Sequence, residues 1–371
     1  MSACWNSRTL ERPNRRTLFS HPRASVLPWF VLFGALLAGC AERGAPPAAA
    51  RTAAPDVPLV WPKPPDEPRI RYLKAIAGPQ DVGAGRSLGA RIVGVLTGRP
   101  EDWLIRPTSV VERNDTLVIA DPGAQAIYLL HVAERRYVKV TMAGEEPLVS
   151  PVGLAVDRRG RLFVADSALA RVFIYALDGQ YLGVLDRGAL TRPTGLAFDE
   201  AREQLLVVDT LGHRVVAFDP QGVQVGGFGA HSESDGELNF PTSIAVGRDG
   251  LRYVTDTMNR RVQIFDAAGT FRAKFGRPGD GSGDFARPKG IAVDRAGHVF
   301  VVDALFDAVQ IFDGTGALLL AFGERGTGAG QFWLPSGIHV TERGRIYIAD
   351  SYNQRVQVFE MVGSNAIMNA E

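Results

Sequence analysis

Cysteine is almost missing from this chain: two residues in 371, at positions 4 and 40. That leaves the body of the protein without a disulfide framework or a cysteine metal site. Lysine is scarce as well, five against 36 arginines, which reads as coding bias rather than chemistry. The apolar run from Val26 to Leu37, interrupted by Pro28, is too short to stay in a bilayer as a permanent span. Beyond residue 39 there are 36 basic and 39 acidic residues, a net charge of −3. A nucleic-acid footprint needs a basic surplus, and none is there. No P-loop or dinucleotide fingerprint occurs, and no unbroken helical periodicity supports an α-repeat array.

What is present begins with an address. Residues 1–25 carry five arginines and one glutamate, the apolar run follows, and Leu37-Ala38-Gly39-Cys40 closes it. This charged, apolar, small-residue order is that of a secretory signal. Its ending resembles the lipobox of bacterial lipoproteins. The resemblance implies that residues 1–39 are removed and that Cys40 becomes the lipidated first residue of the mature protein. Two or three acyl chains would hold it stably in a membrane. Ala41 at the following position implies the outer membrane of a bacterial envelope, facing periplasm or cell surface. Residues 40–58 are rich in Ala and Pro and read as a semi-extended tether.

The dominant signal is repetition. From Pro107 the chain reads PTSVVERNDTLVIAD, and related segments restart at Pro151, Pro193, Pro241, Pro288 and Pro335. Their spacings are 44, 42, 48, 47 and 47 residues. Short β-rich runs at such a period, separated by Gly and Asp, predict propeller blades. The expected fold is all-β: one six-bladed β-propeller of four-stranded blades over residues 107–371. In the fifth copy the strands are expected at Gly290–Val293, His298–Val302, Val309–Phe312 and Ala317–Phe322. The sixth copy has 37 residues and ends after a third strand. Residues 69–76 alternate charged and apolar side chains and are expected to supply its fourth strand. Residues 59–106 would thus hold the closing strand and a short helical segment, where Leu88, Ile92, Val95 and Leu96 follow helical spacing.

The P-x-G-I-A-V-D starts and the D-x-x-x-x-R-V ends, clearest at Asp350–Val356, Asp256–Val262 and Asp209–Val215, resemble the NHL-repeat family of six-bladed propellers. The resemblance covers about residues 68–361. Ala126 and Ala308 stand where the arginine is expected in copies one and five.

Asp121, Asp166, Asp209, Asp256, Asp303 and Asp350 recur once per copy, before the turn between the second and third strands. A residue required by every blade points to architecture, with the carboxylate accepting backbone N–H bonds and pairing with Arg171, Arg214, Arg261 and Arg355. Functional residues should break the symmetry instead. The third residue after each Pro is Gly or Ser, and the fifth is small except for His339, so these rows are expected to line the channel. His339 is either ligand-facing or bonded to solvent or backbone. Thr108, Thr194, Thr242, Lys289 and Ser336 follow the prolines and are expected at the channel mouth.

Some propellers similar to this family are enzymes: peptide-amidating lyases with histidine-held zinc, and lactonases with a calcium site. The rows here offer neither ligand set. Asp280–Asp284 lacks the carboxylates of an EF-hand and reads as a polar glycine loop. The expectation is therefore a lipid-anchored binding scaffold for a protein or envelope ligand, monomeric and without a cofactor, metal site or catalytic residue. The alternative is a metal-dependent lyase or lactone hydrolase.

Overall fold

The computed structural model describes residues 58–84, 103–185 and 188–363. The leader, Cys40, the tether as far as residue 57 and the helically spaced residues 88–96 lie outside them. In the described part of the linking segment, Pro79–Val82 forms one 3₁₀ turn and Leu104 is buried.

Every copy becomes a blade of four antiparallel strands. Blade 1 is Ser109–Arg113, Thr116–Asp121, Ala126–His131 and Arg136–Val140, hydrogen-bonded in that order. Blades 2 to 5 repeat the meander, beginning on inner strands Pro151–Val156, Pro193–Asp199, Ser243–Val246 and Pro288–Val293. The fifth blade's strands fall within two residues of those read from the sequence, at Pro288–Val293, Val299–Asp303, Ala308–Phe312 and Leu318–Phe322. Inner strands sit side by side around the ring, and the sixth, Ile338–Val340, returns to the first.

Blade 6 contributes Ile338–Val340, Arg345–Asp350 and Arg355–Met361 from the end of the chain. Its fourth strand is Ile70–Ile76, antiparallel to Arg355–Met361, with Ile70 opposite Met361 and Ile76 opposite Val356. Val60–Trp61 adds a short fifth strand outside it, a feature with no counterpart in the repeat. The Trp61 ring lies 5.8 Å from both Phe322 and Phe359, so it spans the join of blades 5 and 6.

Period-two alternation explains why there are six apolar cores rather than one. In Thr116–Asp121 every residue is buried. Leu117 and Ile119 pack toward blade 6 with Val356 and Val358. Val118 and Ala120 pack toward blade 2 with Leu162 and Val164. One apolar cluster of this kind fills each gap between blades. Glycine-rich loops drop Phe285 and Phe332, both 0% exposed, into two of these gaps. Gly276 has φ of 79°, and a Cβ there would lie 2.3 Å from Phe285. Only glycine suits both the backbone and the ring beneath it.

The six recurring aspartates are all 0% exposed. Each reaches back 15–18 residues to the loop that enters its own blade. Asp121 accepts from the backbone N–H of Ile105 and Arg106, Asp166 from Val149 and Ser150, and Asp209 from Thr191 and Arg192. Asp256 accepts from Asn239, Asp303 from Ala286 and Arg287, and Asp350 from Trp333. The carboxylate thus clasps the entry loop to the turn after the second strand. Arg214, Arg261 and Arg355 pair with the aspartate of their blade, the last two at 2.8 Å. Arg171 departs from this pattern and pairs with Glu146 instead, because the short strands at 142–147 bring that carboxylate closer. Two residues beyond the arginine position, Gln263, Gln310 and Gln357 hold the glycine-rich loops through backbone groups of Gly236, Gly283 and Gly330.

Asp350 also accepts from Asn353, Arg355 and Gln357. Asp350→Ala should cost about 3–5 kcal/mol, since it strands a buried guanidinium and an entry loop. Chemical denaturation would measure it; a loss below ~1 kcal/mol would contradict the clasp. Removing residues 41–76 should bare the edge of Arg355–Met361, lower the melting temperature and cause aggregation, whereas removing 41–58 should do neither. Equal melting curves for the two truncations would refute this.

Candidate functional site

The inner strands enclose an axial cavity of 710 Å³. That is within the usual range for small-molecule sites. Thr108, Thr194, Thr242, Lys289, Ser336 and His339 all line it.

The hydroxyls of the second-position row have a structural task that the sequence reading did not give them. Thr108 Oγ1 donates to the Val152 carbonyl, Thr194 to that of Thr242, Thr242 to that of Lys289, and Ser336 to that of Thr108. The residue after the clasping aspartate makes a second tie. Thr210, Thr257 and Ser351 donate to the carbonyls of Pro241, Pro288 and Pro107. These bonds join blade 1 to 2, 3 to 4, 4 to 5 and 6 to 1. Lys289 has no hydroxyl, so its side chain is left over for the cavity.

The third-position glycines line the cavity by their backbone, but their missing side chains face the neighbouring blade. A Cβ on Gly153 would stand 1.7 Å from the Thr194 carbonyl oxygen, and one on Gly337 2.5 Å from that of Thr108. Strand crowding, rather than channel width, requires glycine there. The fifth-position row is split: Ala245, Ala292 and His339 line the cavity, while Ala155 packs with Phe163 and Leu196 between blades 2 and 3.

His339 is part-buried in the channel wall. Burial, with the Arg113 charge adding to it, pushes its imidazole down to about 4 despite a hydrogen bond to the Glu112 backbone. It is therefore a neutral group at ordinary pH.

One mouth of the channel carries the side chains that break symmetry. The clasps bring two loops of every blade onto this face: the entry loop and the turn after the aspartate. From the turns, two residues past the aspartate, project Leu211, Met258, Leu305 and Tyr352, each 45–56% exposed. From the entry loops project Ile105, Val149, Phe240 and Trp333, also exposed. The residue before each proline is Arg106, Ser150, Arg192, Phe240, Arg287 and Leu334, in blade order. Arginine thus occupies blades 1, 3 and 5, and all three arginines reach the cavity. Lys289 sits just inside, half-buried, its amine pushed down by desolvation and by the charges of Arg287 and Arg106. No Asp or Glu lines the cavity. The arginine row was readable at the position before proline, but neighbouring repeats do not share it.

Among the described residues no three His, Cys, Asp or Glu side chains converge as a metal-ligand group. Asp284 of the glycine loop bonds to Arg277 and to the Gly281 N–H within its own turn.

Residues 332–359 match the family model of the NHL repeat, and residues 241–305 match that of a 6-bladed beta-propeller. The chain is a six-bladed propeller bearing an NHL repeat. No curated protein matches it. Among solved structures it is similar to virginiamycin B lyase from Staphylococcus aureus, at 13% identity and TM-score 0.54, over 70% of this chain and 96% of that one. A gluconolactonase from Xanthomonas campestris aligns at 18% identity and TM-score 0.54, over 70% and 88% of the two chains. A protein of unknown function from Bacteroides thetaiotaomicron aligns at 17% identity and TM-score 0.55, over 70% of each. At these identities the likeness is one of fold.

The depressed His339 pKa has a consequence for stability. Unfolded histidine titrates near 6.5 and folded His339 near 4, so between these values only the unfolded chain takes up the proton. Stability should fall as pH drops through that window and level off below it. His339→Gln should remove up to a few kcal/mol of that decline, measured as the wild-type-minus-variant difference at pH 7 and pH 4.5. A difference that does not change with pH would show that the imidazole is solvated.

Proposed function

We propose that the protein is a lipid-anchored scaffold of the bacterial cell envelope, whose propeller captures a partner protein on the channel-mouth face. The observation that carries this reading is the distribution of exposed apolar side chains. Of the 16 large hydrophobic residues exposed among those described, eight project from the entry loops and post-aspartate turns of this one face. Scattered exposed apolar residues need no explanation, whereas a belt of them around a channel does. Met258, Tyr352, Trp333 and Phe240 are of the types that anchor protein interfaces. The sequence supports the location: the small residues before Cys40 and the Ala/Pro-rich stretch after it suit an acylated, tethered domain. Metal-dependent lyase or lactonase chemistry remains the alternative class, suggested by the names of structural neighbours and by no observation on this chain.

A photo-crosslinking residue placed at Tyr352 should capture the partner in intact envelopes. The same residue at Leu319, exposed on an outer strand, should not. Met258→Glu with Leu305→Glu should reduce the Tyr352 crosslink about tenfold or more, with the melting temperature held, since both side chains are exposed. Equal crosslinking from both positions, or an unaffected yield in the double variant, would defeat the reading.

A further inference from the structure

The cations at the channel mouth have no task in holding the propeller together. Arg106, Arg192 and Arg287 each give a backbone N–H to a clasp, but among the described residues no ion pair or hydrogen bond engages their guanidinium groups. Arg252, Arg261 and Arg355 differ, being buried against carboxylates, and Arg159 pairs with Glu203 on the surface. The clasping aspartates lie beneath the mouth, outside the cavity lining. Each is fully buried and saturated by N–H donors, and none reaches the cavity. Four positive groups therefore share a concave space with no negative one.

The arrangement is costly without an occupant. Alternate blades of a six-bladed ring place the arginines about 120° apart around one axis. Lys289 stands among them with its charge opposed by two of the three. Like charges gathered in a partly desolvated cleft repel one another and focus a positive potential along it. Ser150 and Ser167, whose hydroxyls lie 3.1 Å apart on blade 2, add neutral donors to the same rim.

We infer that the channel mouth is a binding site for a polyanion, its carboxylate or phosphate oxygens held by Arg106, Arg192, Arg287 and Lys289. Guanidinium groups suit both kinds of oxyanion through paired N–H donors, and Lys289 supplies a point charge deeper in the channel. The oxyanion comes from a free polyanionic solute or from an acidic segment of a protein docked on the surrounding apolar belt. The inference extends the partner reading without depending on it.

The test is calorimetric titration of the detergent-solubilised full-length protein with three probes: citrate, tripolyphosphate and a hexaglutamate peptide. At least one should bind saturably at one per chain, and more weakly as salt rises. The triple variant Arg106→Gln, Arg192→Gln, Arg287→Gln should lose about 100-fold or more in affinity. Lys289→Met should lose about tenfold, and Arg159→Gln nothing. The triple variant should melt no lower than wild type, because it removes repulsion and no bonds. Binding should also raise the Lys289 pKa, a shift that non-specific surface adsorption would not produce. Tighter binding of the peptide identifies a partner's acidic segment as the source, and tighter binding of citrate or tripolyphosphate identifies a free solute. Saturation by none of the three, or binding that the triple variant leaves intact, would overturn the inference. A neutral variant, Met258→Gln with Leu305→Gln, separates the two proposals: loss of crosslink with anion binding retained shows that each stands on its own residues.

Discussion

A buried carboxylate in every blade sets the geometry of everything at the channel mouth. An ionised group at zero exposure is tolerated only when its oxygens are saturated. Here the donors come from a loop 15–18 residues earlier in the chain and from the turn immediately after. Desolvation makes the alternative, an unpaired charge, expensive, so the two loops are fixed in register relative to each other. Arginine assists in blades 3, 4 and 6, yet Asp303, with Ala308 in the arginine position, is served by four backbone N–H groups alone. The clasp works by hydrogen-bond saturation, with ion pairing as a supplement.

This constraint divides labour between repeated and unrepeated positions. The repeated Asp, Gly and Thr or Ser are spent on blade geometry, strand crowding and ties to the next blade. The clasp then presents two side-chain positions per blade to solvent without itself depending on what they are. Those positions vary from Arg106 to Phe240 to Leu334 and from Leu211 to Tyr352. A sixfold scaffold thereby carries an unsymmetrical surface, and binding chemistry resides in that asymmetry.

The same division explains what could be read from the chain alone. Blade count, strand order and the once-per-blade aspartates follow from a period of 42–48 residues and from alternation within strands, both properties of sequence spacing. The glycine row was legible as small residues, though not for the right reason. The 1.7 Å approach of a Gly153 Cβ to Thr194 depends on how neighbouring blades close on one another, which no single repeat contains. The hydroxyl ties of Thr194 and Ser336 were hidden for the same cause. The rim of Arg106, Arg192 and Arg287 was hidden differently. Its members lie 86 and 95 residues apart, before the proline of every second repeat, and become neighbours only when the ring forms. A signal spread over alternate repeats is cancelled when repeats are aligned to find what they share.

The pairing of Ile70–Ile76 with Arg355–Met361 also fixes an order in time. Arg71 and Glu360 form an ion pair across 289 residues of sequence, so a strand made early has its partner made late. Contacts of such separation form slowly, because the intervening chain must be organised before they are rewarded. Through the whole delivery of the intervening blades, Ile70, Tyr72 and Ile76 have no apolar surface of their own to lie against. A cell making this protein must therefore shelter that one strand until the chain is complete. Once paired, the early and late parts of the chain hold each other, and a molecule lacking either one is marked by an open edge.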